Sequence, residues 1–235
     1  MTLSIIPIEG IGEIRPGDEL AELIIDAARA QGTSVEGGDC LVVTQKVVSK
    51  AENRLVPLDP DDLDARRALV ESESVRVVRR RGDLIISETR HGFVCANAGI
   101  DLSNVAHGWA ALLPVDADRS AKHVRDAIRA RVRVEVAVIV SDTFGRPWRR
   151  GLTDVAIGVS GVAAVVDLRD TTDALGRALQ VTEVAVADEI ASAAELVMGK
   201  AKSVPVAIVR GVDPGWLREG TVRELIRPTN EDLFR

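Results

Sequence analysis

Apolar and polar positions along the chain alternate between short β-like runs and longer stretches with helical spacing. Residues 3–7 form an apolar run of strand length that ends in the turn Glu9-Gly10-Ile11-Gly12. From about Asp18, which is placed to cap, Leu20, Leu23, Ile24, Ala27 and Ala28 recur on one stripe and predict a helix. Gly37-Gly38-Asp39 then turns the chain into a strand over 40–43, and Asp59-Pro60-Asp61-Asp62 opens a second helix with Leu63, Leu69 and Val70 on its partly buried face. A hairpin is expected from 84–87 and 92–96, joined by Glu88-Thr89-Arg90-His91. A helix over 120–130 leads into the strongest strand, 134–140. A strand at 180–186, a helix at 188–198 and a strand at 205–209 follow. Strands and helices interleave, so the class is α/β or α+β with mixed sheets; topology does not follow from the pattern.

Composition narrows this to a soluble globular protein. The 235 residues are 46% hydrophobic and 28% charged, enough for a core. The run 134–140 contains Glu135 and is far too short for a bilayer. MTLSIIPIEG has no basic region, long apolar stretch and cleavage site, so no secretion signal is read. Cys40 and Cys95 sit in apolar runs without a CxxC pair and read as buried free thiols of a reducing, cytoplasmic setting. A net charge of −6, 3% aromatic residues and no Tyr argue against nucleic acid as a partner. Basic residues still cluster at Arg79-Arg80-Arg81, read as a solvated face, and at Arg146, Arg149 and Arg150.

Familiar nucleotide motifs fail. Gly199-Lys200 is followed by Ala201 rather than a hydroxyl residue, and Gly10-Ile11-Gly12 lacks a third glycine at Arg15. His91, His107 and His123 are not at zinc spacing. Two acidic positions stand out by context. Asp142 follows the strand 134–140 beside Gly145, and Asp101 follows Asn97-Ala98-Gly99-Ile100. An Asp on a strand-end loop suits a hard cation, and equally suits a helix cap or an Asx-turn. The arginines after Asp142 favour the first reading, since metal and guanidinium together suit phosphoryl transfer. Lys46 and Lys50 add cations just past a strand, either at a site or on a solvated surface.

Four segments together resemble one family, the coenzyme F420-0:gamma-glutamyl ligases. They are GDCLVVTQKVVSKAENR (38–54), NAGIDLSNV (97–105), VSDTFGRPWRRG (140–151) and VAIGVSG (155–161). PIEGIGEIRPGDEL, LQVTEVAVADEIASAAELVMGK and VAIVRG are also similar to this family. The resemblance implies a ligase domain over 1–212, with 213–235 as a C-terminal arm or linker. It also implies a mixed α/β fold of the family's own, in an intertwined homodimer. The implied reaction is GTP-dependent attachment of L-glutamate to F420-0 through an acyl phosphate, giving an amide and then gamma-glutamyl bonds. Mg²⁺ or Mn²⁺ is implied as cofactor, with K⁺ as an auxiliary ion.

Position by position, the resemblance makes Asp101, Asp142 and Thr143 metal contacts. It makes Ile11, Gly12, Glu13, Ile14, Gln45, Lys50, Asn104, Met198, Gly199 and Lys200 nucleotide contacts. Asp101, Asp142 and Arg146 are the expected catalytic residues, Arg146 as a phosphate clamp. Two departures are noted. Lys200 stands where some archaeal relatives carry an acidic metal ligand, and Gln45 where a small hydroxyl residue is usual. A nucleotide-sensing binding protein and a metal-dependent phosphohydrolase are the rival readings.

Overall fold

The computed structural model describes residues 2–169 and 171–233; residues 1, 170, 234 and 235 lie outside it. In chain order the elements are β1 (Ser4–Ile8), α1 (Leu20–Ala30), β2 (Cys40–Thr44), α2 (Gln45–Ala51), β3 (Leu55–Pro57), α3 (Leu63–Ser72), β4 (Ser74–Arg81), β5 (Leu84–Thr89), β6 (Val94–Ala96), β7 (Trp109–Ala111), α4 (Ala117–Val132), β8 (Ala137–Arg146), β9 (Arg149–Ser160), β10 (Val166–Asp167), β11 (Glu183–Val184), α5 (Val186–Met198) and β12 (Val206–Arg210).

Five strands form the central sheet in the order β1-β12-β2-β8-β9, with β2 and β8 parallel and the other neighbours antiparallel. The mixed sheet expected from the sequence is therefore present. Alternate residues sort its two faces. Leu41, Val43, Val138, Val140, Val206 and Ile208 pack with Ile24 and Ala28 of α1 and Val124 and Ile128 of α4. Cys40, Val42, Ala137, Ile139, Ala207 and Val209 pack with Ala187, Ile190 and Ala194 of α5. Burial on both faces is why these strands read as unbroken apolar runs. It also pushes the Cys40 thiol up to about 12, with help from the charge of Asp39.

β9 lies at the sheet edge, and two of its backbone N–H groups are taken by carboxylates. Asp118 of α4 accepts from Val159 N at 2.8 Å, and Asp188 of α5 from Ala156 N at 2.9 Å. Both helices are thereby tied to the edge strand, and these two donors are satisfied. Gly158 permits the closest approach: a Cβ there would lie 2.3 Å from the carbonyl of Ala117.

The expected hairpin is β5–β6, and β4 extends it to three strands. Arg79, Arg80 and Arg81 lie exposed on β4. Several expectations are corrected. Asp18 does not cap α1; its carboxylate accepts from Arg15 N at 2.7 Å, closing a local turn ahead of a helix that starts at Leu20. The strand expected at 180–186 shrinks to Glu183 and Val184, paired with β10, and α5 begins at once at Val186. β8 does not stop at Val140 but runs to Arg146, turns at Pro147-Trp148 and returns as β9. Within the expected C-terminal arm, the stretch around Val222 packs on the body: Val222 is buried, and Asp118 accepts from Thr221 Oγ1 and Val222 N. Among the described residues no helix is long and apolar enough to cross a membrane.

Candidate active site

The stretch Asn97-Ala98-Gly99 sets the position of Asp101. All three residues have positive φ, 50°, 53° and 72°, a conformation natural to Asn and Gly and strained for Ala98. The side chain of Asn97 holds the kink by accepting from Ile85 N at 3.1 Å. Gly99 is further required by crowding, since a Cβ there would sit 2.9 Å from Leu113. The kink delivers Asp101 to a two-way backbone bridge with Ala111, at 3.0 and 2.9 Å.

Helix α2 follows β2 without a break and presents three polar residues to this region. Lys46 Nζ lies 2.8 Å from Asp101 Oδ2 and donates to Ser103 Oγ at 2.7 Å. Lys50 is buried and pairs with the carboxylate of Glu13, which anchors the 11–14 loop. Gln45 is buried too, and its amide nitrogen is spent on Ser49 Oγ and the Leu112 carbonyl, at 2.6 and 2.9 Å. From the sheet side, β8 contributes Asp142 and Thr143, and β9 places Asp154 directly opposite Thr143.

These groups line one cavity of about 760 Å³. It gathers Ile11, Gly12, Glu13, Ile14, Gln45, Lys50, Asp101, Asn104, Asp142, Thr143, Met198, Gly199 and Lys200. Every site residue expected from the sequence is therefore on its wall except Arg146. That arginine, with Arg149 and Arg150, is exposed on the outer end of the β8–β9 hairpin, and its Nη2 donates to the Arg150 carbonyl at 2.9 Å. The placement follows from β8 continuing past Asp142. At about 3.3 Å per residue, four strand positions carry Arg146 roughly 13 Å along the hairpin. Asp142 and Thr143, for the same reason, sit within a strand and not on a strand-end loop.

The pocket also holds residues that the sequence reading missed, chiefly Asp154 and Glu195. The signal for Asp154 is cross-strand register, which is visible only once the hairpin is recognised.

Electrostatics in the cavity are uneven. Desolvation pushes Asp142 up to about 7; the N–H of Thr143 opposes this, while the charges of Asp101 and Asp154 add to it. Asp101 goes the other way. Burial disfavours its charge, but hydrogen bonds from Lys46 and Ser103 outweigh that and hold its pKa below the ordinary value. Glu195 is raised, by desolvation first and by the charge of Asp154 second. Burial and the charge of Asp142 push the neighbouring Cys95 thiol up to about 12, so it stays protonated.

Asp101, Asp142 and Thr143 bring oxygen atoms to the cavity wall, the donor type a hard divalent cation takes. Desolvation raises Asp142 most, and the repulsion from Asp101 and Asp154 that adds to it is what a bound cation would relieve. Among the described residues no three acidic, Cys or His side chains stand close enough to form a ready-made metal cluster. Lys46 already supplies one positive charge to Asp101.

Comparison with known proteins agrees in scope with this arrangement. Residues 10–211 match the family model described as F420-0:Gamma-glutamyl ligase. The chain is 45% identical to the "Coenzyme F420:L-glutamate ligase" of Methanothermobacter thermautotrophicus, covering 100% of both chains. It is 44% identical to the protein of the same name from Methanopyrus kandleri, over 100% of this chain and 98% of that one. A third, from Methanocaldococcus jannaschii, is 39% identical over 86% of each.

Proposed function

Because this chain belongs to the F420-0:gamma-glutamyl ligase family, we propose that it is a ligase joining L-glutamate to coenzyme F420-0 and driven by GTP. The observation that carries the reading is the convergence of Asp101, Asp142, Thr143, Lys46, Lys50 and the 11–14 loop on one cavity. Its volume of about 760 Å³ is ample for a nucleotide together with part of a second substrate.

The chemistry follows from the substrates. A carboxylate is a poor acyl donor, because oxide would have to leave. Its oxygen instead attacks the γ-phosphorus of GTP, the bond to the β-phosphate oxygen breaks, and GDP departs with the electron pair. The resulting acyl phosphate has phosphate as its leaving group. The amine of glutamate, once it has lost a proton, attacks that carbonyl, and inorganic phosphate leaves as the amide forms.

Asp101, Asp142 and Thr143 would hold Mg²⁺ or Mn²⁺, which supplies charge neutralisation at phosphate oxygens; K⁺ is read as an auxiliary ion. Lys46 and Lys50 are tied to Asp101 and Glu13. Each is placed to exchange its carboxylate for a phosphate oxygen as an anionic ligand enters. Gln45, with its amide nitrogen committed inside, would meet a nucleotide only through its carbonyl oxygen. The reading includes a homodimer.

Incubation of the protein with F420-0, L-glutamate, GTP and Mn²⁺, followed by mass spectrometry, tests it. A gain of one or more glutamyl units that requires GTP is expected. Phosphate release without any glutamyl product would replace the ligase with a phosphohydrolase.

A further inference from the structure

Asp154 has no assigned role, yet it is built into the pocket wall with unusual care. It is 3% exposed and sits across the ladder from Thr143. One carboxylate oxygen accepts from Thr143 Oγ1 at 2.5 Å and the other from Ser141 Oγ at 3.1 Å. Its backbone carbonyl accepts from Ser192 Oγ of α5 at 2.6 Å, which fixes the strand position. No Lys, Arg or His among the described residues forms an ion pair with it.

A hydroxyl has one proton to give and two lone pairs to offer. With the Thr143 proton committed to a carboxylate, only lone pairs remain for the pocket. Such an oxygen repels phosphate and matches a hard cation. The carboxylate also polarises the O–H bond, which makes the oxygen a better donor atom. An Asn in the same position has one acceptor oxygen, so it could take only one of the two hydroxyl protons, and its amide nitrogen would have to donate to the other hydroxyl. The carboxylate takes both hydroxyl protons, at the cost of a buried charge beside Asp142.

We propose that Asp154 is a positioning residue that fixes the Thr143 hydroxyl as an oxygen donor to the pocket's divalent cation, acting through Thr143. This rests on reading the pocket as metal-assisted. The test is a double-mutant cycle on Mn²⁺ affinity, measured by electron paramagnetic resonance on the folded apoprotein and its variants. Asp154→Asn is expected to weaken Mn²⁺ binding by about 10- to 100-fold, the range typical of residues that orient a metal ligand. Thr143→Val should lose as much, and Thr143→Ser should keep wild-type affinity. Asp154→Asn added to Thr143→Val should cost nothing further, because the two act as one unit.

Unchanged affinity in Asp154→Asn, even with a lowered melting temperature, would reduce Asp154 to a structural tie and overturn the proposal. Losses that add in the double variant would overturn it as well. If Asp154→Asn does not fold, Thr143→Val decides alone: wild-type affinity there sinks the idea. A wild-type protein that binds no Mn²⁺ would instead sink the metal reading of the pocket, and this inference with it.

Discussion

Strands β8 and β9 share one ladder, but the two ends of their hairpin are made of different material. At the inner end, residues 137–141 are buried, with α4 and α5 packed beside β9. Asp142, Thr143 and Asp154 emerge there at the pocket wall. Phe144 closes this end by meeting Phe93 edge to face at 6.0 Å between centroids. Past it, Arg146, Arg149, Arg150 and Leu152 are exposed. Residues four apart in sequence thus belong to different environments, because an extended strand carries each residue onward by about 3.3 Å. Adjacency of Asp142 and Arg146 in the sequence is no sign of adjacency in a site.

The hardest test of the contrast is Asp142→Asn. At the inner end, loss of a carboxylate proposed to contact the cation should reduce turnover by at least about 100-fold at saturating Mn²⁺, beyond what a supporting residue costs. Steady-state assay of glutamyl addition, with circular dichroism to confirm the fold, measures it. Near-normal turnover would remove Asp142 from the chemistry and erase the functional distinction between the two ends.

The same substitution should have an opposite effect on stability. Asp142 is pushed from 3.8 to about 7 in the folded chain, chiefly by desolvation. A carboxyl raised in this way is penalised when ionised: the penalty is absent below the unfolded pKa, grows between about pH 4 and 7, and is constant above. Without metal, Asp142→Asn should therefore be more stable than wild type at pH 8, by about 2–4 kcal/mol. The gap should close toward pH 4. Mn²⁺ should narrow it at pH 8 by stabilising wild type alone. Urea melts in chelator across this range check it, and a gap that does not change with pH would contradict the burial argument.

A smaller effect is expected at the other wall. Gly99→Ala puts a Cβ at φ 72° and 2.9 Å from Leu113. The left-handed conformation alone costs about 1–2 kcal/mol, and relief of the contact would shift Asp101. A lowered melting temperature with weakened Mn²⁺ binding is the expected pair of results.

What the sequence made legible follows the same division. The runs over 40–43, 134–140 and 205–209 announced the central strands because both faces are buried, and α1, α4 and α5 carried clear apolar stripes. β8 became illegible at Ser141, where it leaves the core for the pocket and its residues turn polar. The return strand and Asp154 were lost with it. α2 went unseen because it starts directly from β2, with no capping side chain and only seven residues. The strand expected at 180–186, of which only Glu183 and Val184 form, shows the converse, since its alternation is apolar but Val181 is 87% exposed. Pocket residues such as Asn104 and Met198 carry no physical signal of their own. They were reached through the family resemblance of their segments.

The smallest predicted effect is at the outer end, and it sharpens the comparison most. Arg146 does not line the pocket of its own chain. It is exposed, and its guanidinium donates to the Arg150 carbonyl of the same turn. Arg146→Ala should therefore change stability by no more than about 0.5 kcal/mol, as exposed substitutions do. Within one chain it should alter turnover less than about threefold, since it can act only through long-range charge that salt screens. The proposed homodimer supplies a route by which this expectation could fail. A second copy's hairpin would have to reach across so that its arginines meet the first copy's phosphates. A tenfold or larger loss in Arg146→Ala, reversed by mixing with a chain that keeps Arg146 but carries Asp142→Asn, would mean that the outer end serves a neighbour's pocket. Turnover within threefold would leave the chemistry at the inner end, with the arginines at the tip outside it.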